Sequence, residues 1–520
     1  MNASKLFGAL CLRADAGPDV GIGHLMRCLA LAQAWKDRGG TASFVTATAS
    51  PALLKRLDSE GFAVHRLQAE AASPADAAET DAVATSDGAA LVVVDGYPFG
   101  PGYLQGLIKD GRELVVIDDQ ATQDFTAARL IVNPNVQATP ELYRGISGDN
   151  RVLAGSRFAL LRREFQANTA GKKSAAQQTR PHADHRNLAR HVVITMGGSD
   201  PPNATGRILE ILSGFGDRRL QLSVILGPAN THRERLEPVL TALRGKHDVE
   251  LLVDPPDLVA VLAHADLAIS AAGTTCWELA SLGVPLAIVV LADNQLAGAE
   301  ALAQRGIAVL LGCHKELNAG GVLPKLRDLL DKPELLRRLS NDARSLIDGR
   351  GAGRVAEHMA TYPLALRAVT AADAAMLHEW ANDPLTRRMS FSAETIPWET
   401  HVEWLKRRLA DADCRFHVVQ DADGRPLGQA RLDRAGSRAT LSFGLAPTAR
   451  GKGFAARLVR LAAVDSLLAG WCQHVDAWVR PENVPSLAAF RRAGFTERGI
   501  APDQDQPEQS QGDALLFSLP

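Results

Sequence analysis

The segment RADAGPDVGIGHLMRC, Arg13 to Cys28, sets a histidine, His24, directly after two turn-forming glycines, Gly21 and Gly23. Imidazole is the side chain best matched to proton transfer near neutral pH. At the start of a helix it has a further property: the helix end disfavours a cation, so His24 is expected to stay neutral and able to accept a proton. Arg13, Asp15 and Arg27 crowd the same stretch. Arg13 and Asp15 either orient a ligand or form a structural ion pair, and the pattern leaves both open. A capped helix with an incidental surface histidine is the alternative for His24, and the charged neighbours weigh against it.

A second constellation is SAAGTTCWELASLGVP, Ser270 to Pro285. Small residues through Gly273 allow close approach, and Thr274 with Thr275 can cap the helix that carries Trp277, Glu278 and Leu279. Helix-end amides and hydroxyls hold a diphosphate without a lysine. Glu278, one turn in, can accept hydrogen bonds from both hydroxyls of a ribose; otherwise it is a solvated residue behind a threonine cap. A third is ARGKGFAARLVRLAA, Ala449 to Ala463, in which Arg450, Gly451, Lys452, Gly453, Phe454 and Ala455 open a helix. Its small residues let successive backbone amides wrap a pyrophosphate, the competing reading being a basic helix start of no special purpose.

The elements that must position these residues follow from periodicity. Leu6 to Leu12 is an apolar run of strand length, and Leu25, Leu29, Leu31, Ala32 and Trp35 recur at helical spacing until Gly39 and Gly40. Strand, turn and helix make a βα unit with ligand space at the sheet's carboxyl edge. Buried parallel strands are expected at Leu91–Val94 and Leu114–Ile117, ending in Asp95 and in Asp118 with Asp119. A polar stretch at 166–188 reads as an exposed linker. The alternation resumes with a strand at Val192–Thr195, a turn at Met196–Asp200, and a helix from about Asn203. Further strands fit at Leu222–Leu226, Leu251–Val253, Leu267–Ser270 and Leu286–Val290. GRGAGR, from Gly349, marks another break, and helices and strands mix from about Leu364. The expected fold is α/β: Rossmann-like domains over 1–165 and 189–350, a linker at 166–188, and a mixed α+β domain over 364–520.

Composition excludes several classes of function. With 520 residues the chain is too long for one core. Its net charge of −2, from 57 basic and 59 acidic residues without a basic run, gives no reason to expect nucleic acid or an anionic membrane as partner. Apolar runs such as Val284–Ala292 fall well short of the ~20 residues of a membrane span, and the N-terminus has no secretory pattern, so a cytoplasmic location is expected. Six cysteines lie scattered without paired metal spacing, which points to reduced thiols and no bound metal.

Ser270–Pro285, taken with MGGSDPPNAT at Met196–Thr205, resembles the nucleotide half of the two-domain GT-B glycosyltransferases, particularly those that add N-acetylglucosamine in peptidoglycan assembly. A closer resemblance rests on six motifs in order: RADAGPDVGIGHLMRC, VVVDGYPFG, VIDD, NPN at Asn133–Asn135, LLRREF at Leu160–Phe165, and ADNQ at Ala292–Gln295. Over about residues 6–350 these resemble the UDP-sugar hydrolases of pseudaminic acid biosynthesis. That resemblance implies release of UDP from UDP-2,4-diacetamido-2,4,6-trideoxy-β-L-altropyranose with inversion at the anomeric carbon, His24 being the base that activates water. The substrate site it implies comprises Arg13, Asp15, Gly23, Tyr97, Arg162, Gly198, Gly273, Thr274, Thr275, Glu278, Asn294 and Gln295, with Tyr97 and Asn294 near the sugar. Amides at Gly273–Cys276 would hold the charge of departing UDP. A glycosyltransferase using the same cleft, with a sugar hydroxyl in place of water, is the alternative.

Arg450, Gly453 and Ala455 fit the R-x-x-G-x-A pattern of the GNAT acetyltransferases, and ENVPSLAAFRRAGF, Glu482–Phe495, resembles the element beside the cofactor thiol in that family. EWANDPLTRRMSF, Glu379–Phe391, resembles the acceptor-side opening of acetyltransferases that act on the 4-amino group of UDP-linked amino sugars. The resemblance implies acetyl-CoA as co-substrate, held by Arg450 to Ala455 with Asn483, and a UDP-linked amino sugar as acceptor. Many relatives carry a proton-donating tyrosine where this chain has Phe490. Either another group or water then reprotonates the thiolate, or the domain binds acetyl-CoA without catalysis. Glu482, His401 and His474 are candidate bases for the amine.

Overall fold

The computed structural model describes residues 7–17, 20–108, 112–146, 151–166, 191–216, 218–255, 257–361, 364–421, 424–500 and 514–519. The expected linker lies outside these, apart from Gln166, which ends the short helix Arg163–Gln166. Two compact units divide the chain: Gly8–Val355, and Ala356–Pro520 together with Met1–Phe7.

The first unit holds two parallel sheets. Strands β1 (Ala9–Ala14), β2 (Thr41–Thr46), β3 (Ala63–Arg66), β4 (Ala89–Asp95), β5 (Glu113–Ile117), β6 (Leu130–Asn133) and β7 (Arg151–Ala154) lie in the order β3-β2-β1-β4-β5-β6-β7. Val92, Val93, Val94, Val115 and Ile131 are all buried, as strands covered on both faces must be. The order reverses between β1 and β4. Connections there leave toward opposite faces and open a crevice at the carboxyl ends. Helix Gly23–Lys36 follows β1 on one side of that crevice, and Asp95 closes β4 on the other. The helix ends at Lys36, just before Gly39, with φ 86°, and Gly40, where a Cβ would overlap the Trp35 ring.

In the second sheet β8 (His191–Thr195), β9 (Gln221–Leu226), β10 (Asp248–Val253), β11 (Leu267–Ala271), β12 (Leu286–Val290) and β13 (Ala308–Cys313) run in the order β10-β9-β8-β11-β12-β13. The switch falls between β8 and β11, so the Met196–Asp200 turn and the start of helix Thr274–Leu282 flank it. These are two Rossmann-like domains of GT-B type. Ala159, Leu161 and Phe165, the last residues of the expected first domain, join the core cluster of Trp277, Leu279 and Ile288 in the second. GRGAGR lies directly before the unit boundary at Val355/Ala356, but the chain's secondary structure is not broken there. Helix Gly351–Thr361 begins inside it, and a Cβ on Gly351 would overlap the Ala159 backbone, so that glycine serves close packing.

The C-terminal unit is built on one mixed sheet, β14 (Ala365–Ala368), β15 (Cys414–Gln420), β16 (Pro426–Ala435), β17 (Arg438–Leu445), β18 (His474–Val479), β19 (Thr496–Ile500) and β20 (Leu515–Leu519), in the order β14-β15-β16-β17-β18-β20-β19. The pair β17–β18 is parallel and its neighbours are antiparallel. This is the GNAT-like sheet domain.

Candidate functional site

His24 stands in the first turn of its helix, and helical spacing puts Arg27 on the same face, one turn on. Both reach Asp95 at the end of β4. His24 Nδ1 is 2.7 Å from Asp95 Oδ1, while Arg27 grips the same carboxylate through Nε to Oδ2 at 3.0 Å and Nη2 to Oδ1 at 2.6 Å. Arg27 Nη2 also lies 2.8 Å from His24 Nδ1. A carboxylate only accepts, so the 2.7 Å contact between His24 Nδ1 and Asp95 is a hydrogen bond when Nδ1 carries the proton, which leaves the lone pair on Nε2. Burial alone would raise the Asp95 carboxyl, but Arg27 and His24 together bring it below its ordinary value. It is therefore a fixed anion behind the imidazole.

Tyr97 packs edge-on against His24, ring centroids 4.9 Å apart. Its hydroxyl donates to Asp119 Oδ2 at 3.0 Å and accepts from Asn294 Nδ2 at 2.9 Å, and Arg27 Nη1 reaches the same Asp119 oxygen at 3.2 Å. A continuous polar chain thus runs from Asn294 in the second Rossmann domain to His24 in the first. Asp95, Arg27 and Asp119 lie outside the site expected from sequence. The signal that could have found them is positional, because Asp95 ends β4 at the switch point, Asp119 follows the end of the neighbouring β5 by two residues, and Arg27 follows His24 by one helical turn.

Arg13 and Asp15 correct the expectation of a substrate contact. β1 runs on to Ala14, which places Arg13 inside the strand, fully buried. Its guanidinium pairs with Asp76 at 3.0 and 2.6 Å and with Asp15 at 2.8 Å. The other Asp15 oxygen accepts from Thr46 Oγ1 and from the amides of Ala47 and Thr48. Of the two readings left open, the structural ion pair is the one these contacts describe.

The remaining expected substrate residues line one cavity of about 970 Å³: Gly23, His24, Tyr97, Arg162, Gly198, Gly273, Thr274, Thr275, Glu278, Asn294 and Gln295. Three helix starts face it, and their caps differ. Helix Ala204–Leu212 is closed to anions, because Asp200 accepts from the amides of Ala204 and Thr205 at 2.8 and 2.9 Å and Asn203 from that of Gly206. The helices beginning at Gly23 and at Thr274 carry no side-chain cap. The expectation that Thr274 and Thr275 cap their helix is corrected: Gly273 is the N-cap, and both threonines sit within the first turn. The two open starts converge, since a Cβ on Gly23 would lie 3.8 Å from the Thr274 side chain. Free amides from two helices at one point are an anion site.

Gly198 has a packing reason to be glycine: a Cβ there would lie 2.5 Å from Ile22 Cγ1. Glu278 is not solvated. It is 9% exposed, and its Oε1 accepts from Arg162 Nη2 at 2.7 Å and Nε at 3.2 Å. Gln295 accepts from the Leu291 amide through Oε1 at 3.0 Å, which turns its Nε2 to within 4.0 Å of where a Cβ on Gly273 would stand.

In the C-terminal unit, β17 and β18 are in register only at Arg438–His474, Ala439–Val475 and Thr440–Asp476. Beyond Thr440 the strands part, although β17 continues to Leu445 and β18 to Val479. The helix Phe454–Leu468 starts nearby at Gly453, uncapped, with Gly451 at φ 75° and Gly453 at φ 80°, conformations that favour glycine. Gly451, Lys452 and Gly453 are exposed, and Phe454 and Ala455 half-buried, so the loop's amides are accessible to a pyrophosphate. Two side chains expected at the cofactor are engaged within the protein. Arg450 turns away, pairing with Asp383 at 2.7 Å and Thr386 Oγ1 at 2.9 Å. Asn483 spends its carbonyl on the Ser486 amide, capping helix Val484–Arg492. Phe490 is buried among Phe443, Phe495 and Phe517, where it fills the core. Of the candidate bases, His401 is buried with Nε2 on the Ala374 carbonyl, and His474 stands where β17 and β18 are still paired. Glu482 remains exposed. Among the described residues no group of His, Cys, Asp and Glu has an arrangement able to hold a metal ion, and no helix is long and apolar enough to cross a membrane.

Residues 192–348 match the family model of the glycosyltransferase family 28 C-terminal domain, and residues 364–496 that of the acetyltransferase (GNAT) domain. Over 435 residues, 81% of this chain and 82% of the relative, the chain is 20% identical to uncharacterized protein MJ1062 of Methanocaldococcus jannaschii. It is 24% identical over 211 residues, 40% of this chain and 58% of the relative, to the spore coat polysaccharide biosynthesis protein SpsG of Bacillus subtilis. It is 29% identical over 171 residues to the UDP-N-acetylglucosamine--N-acetylmuramyl-(pentapeptide) pyrophosphoryl-undecaprenol N-acetylglucosamine transferase of Anaeromyxobacter dehalogenans, 32% of this chain and 44% of the relative. The chain thus spans about half the length of these last two. It joins a glycosyltransferase-28-like region to a GNAT acetyltransferase domain, whose co-substrate is acetyl-CoA.

Proposed function

We propose that the chain is a bifunctional cytoplasmic enzyme of pseudaminic-type sugar synthesis. Its C-terminal unit acetylates the 4-amino group of a UDP-linked sugar, and its Rossmann pair then hydrolyses the product, UDP-2,4-diacetamido-2,4,6-trideoxy-β-L-altropyranose. The observation that carries the hydrolytic reading is a buried His24–Asp95 pair standing beside two uncapped helix starts in one cavity. Water attacks the anomeric carbon and gives its proton to His24 Nε2. Asp95 holds the Nδ1 proton throughout and stabilises the imidazolium as it forms. The bond from that carbon to the UDP oxygen breaks with its electron pair on the phosphate, where amides of Gly23 and of Gly273 to Thr275 offset the charge, that of Cys276 being bonded to the Gly273 carbonyl. Attack opposite the leaving group inverts the centre. The free Oε2 of Glu278 is available to a ribose hydroxyl, with Arg162 fixing the carboxylate.

A second reading is supported by the family 28 match: glycosyl transfer, with a sugar hydroxyl in place of water. One experiment separates the two. Purified protein is incubated with the UDP-diacetamido sugar and no acceptor, and products are followed by mass and anomeric configuration. Stoichiometric UDP and free sugar of inverted configuration are expected. UDP that appears only when an acceptor hydroxyl is added would replace the hydrolase with a transferase.

A further inference from the structure

The two strands that part in the C-terminal unit are each followed by an arginine, Arg450 after β17 and Arg480 after β18. Both arginines hold one short helix, Pro384–Met389, at opposite ends. At its start, Asp383 caps the amides of Leu385 and Thr386 at 3.1 and 3.0 Å, and Arg450 takes the same Asp383 oxygen at 2.7 Å together with Thr386 Oγ1 at 2.9 Å. At its end, Arg480 Nη1 donates to the carbonyl of Ser390, the C-cap residue, at 3.0 Å. A third arginine, Arg387, ties the helix to the chain on both sides, donating to the carbonyls of Ala381, Ser392 and Glu394. The helix is therefore strapped between the two walls of the gap.

We propose that this strap couples the cofactor loop to the acceptor wall, and that Arg450 is a positioning residue for the acceptor side and not a ligand of the pyrophosphate. The inference follows from geometry. Arg450 is contiguous with Gly451 to Gly453, whose uncapped amides are the anion cradle, yet its guanidinium is committed in the other direction. A pyrophosphate that orders the cradle fixes the Arg450 backbone, and with it both bonds to the start of the strap. A cofactor filling the gap between β17 and β18 likewise fixes Arg480 and the strap's end. The acceptor then meets a wall that the cofactor has ordered.

The test is hydrogen exchange of the full chain with and without coenzyme A, read at residues 384–391, with affinity for coenzyme A measured by calorimetry. In the wild type, coenzyme A is expected to slow exchange of the strap at least about threefold. Arg450→Gln and Asp383→Asn should each abolish that protection while changing affinity for coenzyme A less than about threefold, since the cradle's amides are untouched. Asparagine retains the capping oxygen, so Asp383→Asn removes the ion pair and keeps the helix start, giving a second folded variant. Had Arg450 held the pyrophosphate by charge-assisted bonds, its loss would weaken binding roughly ten- to a hundredfold. A loss beyond about threefold in Arg450→Gln, persistence of protection in both variants, or no protection in the wild type would each overturn the proposal.

Discussion

Asp95 is the residue on which the proposed chemistry turns, because it is fully buried and sets which nitrogen of His24 faces the cavity. Asp95→Asn keeps the shape and withdraws the anion. We expect kcat for UDP release to fall ~10²- to 10⁴-fold while affinity for UDP stays within about twofold, the signature of a group that acts on the base and not on the nucleotide. A ¹⁵N spectrum of the His24 ring supplies an independent measurement, with a change in the protonated nitrogen expected. Glu278→Gln should do the opposite. UDP affinity should fall by about 1.5 to 3 kcal/mol by calorimetry, since a charge-assisted acceptor is lost and Arg162 keeps only Glu164 as its carboxylate. His24 itself was legible in the sequence, from a glycine turn between strand and helix. Its partner was not, because Asp95 is 71 residues away and only the β1–β4 switch makes them neighbours. Arg13 shows the converse: proximity in sequence to His24 suggested a shared task, but its alignment in β1 sends it to Asp76.

Among elements, the three helix starts in the cavity show how capping decides what a helix end can bind. Asp200, 1% exposed and accepting from two amides, closes the start of helix Ala204–Leu212. Asp200→Ala should cost about 1 to 2 kcal/mol of stability, read as a lower unfolding midpoint, and should not weaken UDP binding, because the anion site is at the other two helices. The C-terminal unit has a cap of comparable consequence. Arg367 holds the Asp373 carboxyl down at about 2 from an ordinary 3.8, and Thr370 adds to it. A carboxyl depressed by folding contributes stability above its unfolded value and loses it as pH falls through the folded one. The difference in stability between wild type and Asp373→Asn should therefore be constant above about pH 5 and vanish toward pH 2, as acid unfolding curves would record. Sequence periodicity located most strands to within a few residues because buried parallel strands are continuous apolar runs. It did not show that a helix starts within GRGAGR, since glycine that permits close packing and glycine that ends a helix look alike in one dimension.

For the whole molecule, the boundary between units falls at Val355/Ala356, inside helix Gly351–Thr361. Within the C-terminal unit, Glu357 on that helix pairs with Arg460 at 2.6 Å, and the Arg460 guanidinium lies over the Phe7 ring. A fragment starting at 364 would lack both. Glu357→Ala in the intact chain should accordingly destabilise this unit by about 3 to 5 kcal/mol, since a largely buried arginine loses its carboxylate, and the lower of two thermal transitions should move. The order of domains was legible from the change of pattern near Leu364, but the ownership of Phe7 and Glu357 was not, because neither carries a local signal. The chain from Asn294 through Tyr97, Asp119 and Arg27 to the Asp95–His24 pair has a consequence at this scale too. Its first member belongs to the second Rossmann domain and the rest to the first, so the Asn294–Tyr97 link exists only while the two domains are closed on each other, whereas the His24–Asp95 pair is complete within the first. In the proposed hydrolysis a sugar nucleotide held by the second domain alone is out of reach of His24, and commitment to cleavage becomes a property of assembly, in the manner of a circuit that conducts only when its last contact is made.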